Sequence, residues 1–157
     1  MINAIILSVI IPALILTLVP HVVKHFGGES KHYMPWLYAA CVLYMISWWL
    51  PSPLIEGRDT SFTTHFLGGG VFTGMIWYYV KQSLGWKAHW LLEAFSLFAL
   101  VSALGVANEL LEIVLYVFHD MPNGISDTSW DLLANTLGAL LFYLTYLINI
   151  SHHKTRG

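Results

Sequence analysis

Cysteine is nearly absent. Cys41 is the sole one in 157 residues, which excludes an intrachain disulfide and any thiolate cage around a metal. Charge is almost as scarce, at 10% Asp, Glu, Lys and Arg against about 25% in a typical soluble domain. The basic residues number 7 and the acidic ones 9, for a formal net charge of −2. A nucleic-acid binder would instead concentrate Lys and Arg on one surface, so that class of partner is excluded. What replaces charge is apolar bulk: 57% hydrophobic residues and a mean hydropathy of +0.64 describe a chain whose solvent is lipid, with length for a single domain covering residues 1–157.

A helix rises about 1.5 Å per residue, so crossing a hydrocarbon core of about 30 Å takes roughly 20 apolar residues. The sequence offers five such stretches, at about 2–19, 34–50, 62–80, 90–118 and 130–150. They predict an all-α bundle of five transmembrane helices. The first is expected to be a retained helix rather than a secretory signal, because no Lys or Arg precedes it and no small-residue cleavage site follows, only Pro20-His21. Pro51 and Pro53 close the second, since neither can continue a helical hydrogen-bond ladder.

Lys and Arg accumulate on the cytoplasmic side of a membrane. With five spans, Lys24, Lys31, Lys81, Lys87, Lys154 and Arg156 fall on one face and Arg58 alone on the other. The distribution predicts an outside N-terminus and a cytoplasmic C-terminus. Trp48, Trp49 and Trp130 then mark the outer interface, and Trp36, Trp77, Trp86 and Trp90 the inner one.

The acids are also one-sided. Glu56, Asp59, Glu109, Glu112, Asp120, Asp127 and Asp131 belong to the outer face, while Glu29 and Glu93 belong to the inner. Counting from the middle of each span places His65, Glu109 and Asn135 about 7 to 9 Å above the midplane, with Glu112 and Asp131 about one turn further out. Residues three or four apart share a helix face. Glu109 and Glu112 therefore form one stripe with Gly105, Asp131 and Asn135 another with Gly138, and His65 is in register with Gly69. A carboxylate within a span costs about 2.5 to 3.5 kcal/mol, so such groups face a cavity and have partners. Carboxylate oxygens with one imidazole suit Zn²⁺, Mn²⁺ or Mg²⁺. Two Glu one turn apart equally suit a shared proton, and spacing alone does not choose.

Several of these residues also have plainer roles open to them. Asp127-Thr128-Ser129 stands where side-chain oxygens cap the start of span five, and Thr128 with Asp131 resembles a capping box. Arg58 pairs readily with Glu56 or Asp59, or contacts a substrate anion. Glu93 opens a helix, where its charge suits the dipole. Gly70-x-x-x-Gly74 is a close-packing motif that serves internal contact or self-association alike.

Thr64-His65-Phe66-Leu67-Gly68-Gly69, Asn108-Glu109-Leu110-Leu111-Glu112 and Asp127-Thr128-Ser129-Trp130-Asp131 through Asn135-Thr136-Leu137-Gly138-Ala139 resemble the pattern of the YjdF-like bacterial membrane proteins. Those in turn are similar to the VanZ-like group. The resemblance covers residues 60–145 and implies a small multi-pass protein of the bacterial inner membrane, with His65, Glu109, Asp131 and Asn135 at motif positions. The chain differs from VanZ-like sequences in having Glu112 where Gln is usual, and Pro122-Asn123-Gly124-Ile125-Ser126 where a loop Arg is usual.

These observations lead to three expectations. The first is a cation-binding pocket near the outer leaflet, with His65, Glu109, Glu112 and Asp131 as metal ligands and acid–base groups. Asn135, Asp127 and Arg58 would orient those ligands or contact substrate, and the chemistry would act on a lipid or lipid-linked cell-envelope substrate. The second is proton or cation transport, and the third a non-catalytic partner within a homo-oligomer or larger membrane complex.

Overall fold

In a computed structural model, the backbone is described for residues 2–55, 58–117 and 125–154, and the side chains for 8–54, 59–111 and 128–151. The chain is helical almost throughout. Helix α1 (Ile2–His25) is followed by a 3-10 turn (Lys31–Tyr33) and α2 (Met34–Ser47). A two-residue antiparallel hairpin, β1 (Leu54–Ile55) with β2 (Arg58–Asp59), pairs Leu54 with Asp59. A π-helical segment (Thr64–Val71) runs directly into α3 (Phe72–Ser83), and α4 (Trp90–Val117) and α5 (Ile125–Lys154) complete the bundle.

Among the described residues, three helices contain windows long and apolar enough to cross a membrane: Ser8–His25, Trp90–Leu111 and Thr128–Ser151. Helix α2 has 14 residues, about 21 Å at the α-helical rise, which is shorter than a full span. The third predicted stretch is continuously helical over 62–83, but its first part is wound as a π-helix. Nothing in the apolar run of the sequence signals that change of winding.

Helix ends depart from expectation in instructive ways. Helix α1 continues through Pro20 to His25; proline is tolerated inside membrane-type helices where neighbouring groups re-satisfy the freed carbonyl. Helix α2 stops at Ser47, before Pro51. Helix α5 starts at Ile125, so Asp127, Thr128 and Ser129 lie inside its first turns rather than capping it.

Helix α3 is the central rod, with Phe72 to Trp77 buried in succession. One side packs with α1 and α2 through Val23, Leu37, Ala40, Phe72, Met75, Ile76 and Tyr79. The other packs with α4 and α5 through Trp77, Leu97, Val101, Ala139, Tyr143 and Tyr146. The π segment lies backbone to backbone on α5. A Cβ at Gly70 would come within 2.7 Å of Gly138 Cα, and one at Gly74 within 2.6 Å of Phe142 Cγ. Gly70 and Gly74 thus serve internal packing against α5.

The rods alternate in direction. At one end, Glu29 N donates to Ser83 O at 2.8 Å, joining the α1–α2 connection to the end of α3. At the other, Thr64 Oγ1 donates to Ser47 O at 3.2 Å. The start of the π segment, the far part of α4 and the start of α5 meet at this second end.

Candidate metal centre

Three helical rods each deliver one ionisable group to this second end. His65 opens the π segment, Glu109 comes from α4 and Asp131 from α5. One ligand atom from each lies within 4.8 Å of the others. Glu109 and Asp131 are buried, at 6% and 2% exposure. The His65 side chain retains 13% and is the most accessible member of the three. His65 Nε2 stands 3.3 Å from Asp131 Oδ2, while Ser61 Oγ donates to Asp131 Oδ1 at 2.8 Å. Glu109 Oε1 is buried with no hydrogen-bond partner.

That arrangement is electrostatically incomplete. Two carboxylates at this separation repel, and a buried carboxylate oxygen without a donor loses hydration with nothing in return. A cation, or a proton held between the acids, removes both costs. The donor set of one imidazole nitrogen and carboxylate oxygens is a ligand set for a first-row divalent ion.

The floor beneath the centre follows from helical periodicity. One turn inward from His65, Glu109 and Asp131 are Gly69, Gly105 and Asn135, each four residues along its own rod. Asn135 fills that layer because the two glycines leave it room. A Cβ at Gly69 would overlap Asn135 Oδ1 and lie 2.8 Å from Cγ, and one at Gly105 would sit 3.2 Å from Nδ2. Asn135 is 4% exposed, and its Oδ1 is a second buried oxygen without a hydrogen-bond partner.

The structure therefore joins His65, Glu109 and Asp131 in one layer and sets Asn135 a turn deeper. The spacing estimate placed Asn135 level with His65 and Asp131 further out. The midpoint of α5 is nearly the same in both, so the difference lies in how the rods are staggered against one another, which counting along a single span does not fix. The side chains of Glu112, Asp127 and Arg58 lie outside the described residues, as do His119 and Asp120 entirely.

Sequence reasoning missed two features. Ser61 is a loop residue with φ of +50°, the one non-glycine with positive φ among the described residues; nothing at that position marks it as a contact to Asp131. The second feature is at the opposite end. Lys81 Nζ pairs with Glu93 Oε1 at 2.9 Å and also hydrogen-bonds Tyr146 Oη. Tyr146 Oη in turn donates to Glu93 Oε2 at 3.3 Å. Lys81 and Glu93 are buried, with the Trp77 and Tyr146 rings 5.7 and 4.9 Å from Nζ. Glu93 is thus an interior ion-pair partner as well as a residue at a helix start.

Comparison with protein-family models, curated proteins and solved structures finds no match to the chain.

Proposed function

We propose that the protein is a multi-pass protein of the bacterial inner membrane whose His65–Glu109–Asp131 centre binds a divalent cation near the outer leaflet. The bound ion would polarise a phosphoryl or carbonyl oxygen of a lipid or lipid-linked envelope substrate, with Glu109 carrying the proton. Asn135 supports the centre from below. The resemblance to the YjdF-like and VanZ-like proteins supports the cellular location. The acidic character of the outer loops favours a cation over a bare anion there.

One observation carries the reading: the ligand atoms of three residues from three separate rods lie within 4.8 Å of one another, and a buried Glu109 oxygen among them lacks any hydrogen-bond partner. Transport has less support. Phe72, Ile76, Val101 and Ala139 are buried between this centre and the Lys81–Glu93–Tyr146 cluster, and that cluster is closed on itself.

The test is metal analysis of protein purified in detergent without chelators, followed by incubation of proteoliposomes with bacterial lipid extract and mass spectrometry of the lipids. Wild type is expected to retain a divalent ion and to alter a lipid species. Glu109→Gln is expected to lose both. A wild-type protein that retains no ion after dialysis against Mn²⁺, Zn²⁺ or Mg²⁺ overturns the cation centre. An ion-loaded protein that alters no lipid overturns the substrate assignment.

A further inference from the structure

Resting on the cation-centre reading, we propose that Ser61 supplies an additional oxygen ligand to the centre, and that this oxygen favours Mn²⁺ over four-coordinate Zn²⁺.

Ser61 has one hydroxyl hydrogen and two acceptors within reach. Oγ lies 2.8 Å from Asp131 Oδ1 and 2.7 Å from the Thr60 carbonyl oxygen. A single hydroxyl donates to one of them at a time. In the absence of a cation, donation to Asp131 stabilises the carboxylate. When a cation takes Asp131, the hydrogen turns to Thr60 O, and a lone pair of Oγ swings toward the ion. No covalent bond changes, and Ser61 keeps its proton throughout.

The backbone is committed to presenting this oxygen. A serine at φ of +50° occupies a region that L side chains rarely adopt, and such strain persists where its surroundings hold it. Here the holding contacts are local. Ser61 N donates to Asp59 Oδ1 at 2.9 Å, and Ser61 O accepts from His65 N at 3.1 Å. The second contact ties Ser61 directly to the residue whose imidazole belongs to the centre. Thr60 is anchored in turn by Oγ1 donating to Pro53 O at 2.8 Å.

The ligand count decides the ion. Imidazole and two carboxylates leave one position on a tetrahedral ion such as Zn²⁺. A hydroxyl oxygen makes the set richer in oxygen and suits an ion with six positions, whereas Mg²⁺ and Ca²⁺ draw little benefit from imidazole. Mn²⁺ accepts both donor types. The unpartnered oxygens of Glu109 and Asn135 are consistent with a centre that needs more oxygen contacts than the protein groups give one another.

Ser61→Gly is the informative variant, because glycine adopts positive φ without strain and removes only the hydroxymethyl group. Full-length wild type and Ser61→Gly in nanodiscs, matched for monodispersity and helix content by circular dichroism, are titrated with MnCl₂ followed by electron paramagnetic resonance of the free ion. ZnCl₂ is titrated by calorimetry. Wild type is expected to bind Mn²⁺, and Ser61→Gly to bind it about tenfold more weakly, with Zn²⁺ affinity changed by less than about threefold. Unchanged Mn²⁺ binding in Ser61→Gly, or an equal loss for both ions, overturns the role of Ser61 and leaves the centre standing. Wild type that binds neither ion overturns the cation centre itself.

Discussion

At the scale of single residues, the centre depends as much on what is missing beneath it as on its charged groups. Asn135 occupies space that a side chain at Gly69 would take, and the three nearest atoms that a Cβ there would meet all belong to the Asn135 side chain. Gly69→Ala is therefore expected to destabilise the protein by about 1–3 kcal/mol, the usual cost of overpacking. In an Asn135→Ala background the obstructing atoms are gone, so the same change should cost less by about 0.5–3 kcal/mol, the range for residues in contact. Chaotrope unfolding of the four proteins in detergent, followed by circular dichroism, measures that coupling. Additive effects would show that Gly69 and Asn135 do not meet. The His65–Gly69 register and the Asp131–Asn135 register were both legible in the sequence, since each is a statement about one helix. That the two stripes face each other depends on how the rods are rotated. Periodicity within one rod does not fix this.

At the scale of elements, the same three rods that converge at His65, Glu109 and Asp131 converge again at Lys81, Glu93 and Tyr146. The positions are 15 or 16 residues apart on each rod, roughly 24 Å at the helical rise. The second cluster is fully paired, so its role differs from that of the first: it fixes how α3, α4 and α5 meet. Lys81→Met leaves Glu93 buried without its ion-pair partner and is expected to cost about 3–5 kcal/mol. Combining Lys81→Met with Glu93→Leu should recover most of that loss, because an apolar pair of similar volume removes the desolvation cost altogether. Thermal unfolding of the two variants checks this, and a double variant no more stable than the single one would contradict it. The sequence placed Lys81 in a cytoplasmic loop and Glu93 at a helix start. Glu93 does lie in the first turn of α4, but Lys81 lies buried inside α3 rather than in a loop, and the pairing across 12 residues and two helices was hidden. Helix existence was legible because long apolar runs have few alternatives, whereas the π winding of Thr64–Val71, seated backbone to backbone on α5 at Gly70 and Gly138, is a feature of packing between rods that an apolar run does not encode.

At the scale of the molecule, the decisive question is what covers its outer surface. Within the three span-length windows, the share of residues buried inside the protein is 17%, 22% and 33%. Leu91, Phe95 and Phe98 on α4 and Leu140, Leu144 and Ile148 on α5 stand more than a third exposed. Soluble monomers do not carry contiguous apolar surface on this scale, and hydrocarbon is the medium that accepts it. The number of rods that cross and their orientation decide which side of the membrane the centre faces. If only α1, α4 and α5 cross, residues 26–89 stay on one side, and Trp49 and Lys87 share it. If all five rods cross, Trp49 lies with the centre on the outer face and Lys87 on the inner, as the clustering of basic residues requires. Cys41 makes the experiment clean, because it is the sole cysteine, is buried, and has its thiol directed at the Pro12 carbonyl oxygen at 3.8 Å. Trp49 is 68% exposed and Lys87 is exposed, so Trp49→Cys and Lys87→Cys both present a reactive thiol. In intact spheroplasts a membrane-impermeant maleimide is expected to label Trp49→Cys and leave wild type and Lys87→Cys untouched until the membrane is opened. Protection of both positions would contradict the five-span reading, because His65 meets Glu109 at the end of α4 away from Trp90 while Lys81 meets Glu93 at the other. Labelling of Lys87→Cys alone would invert the orientation. In that orientation a substrate confined to the outer leaflet could not reach His65.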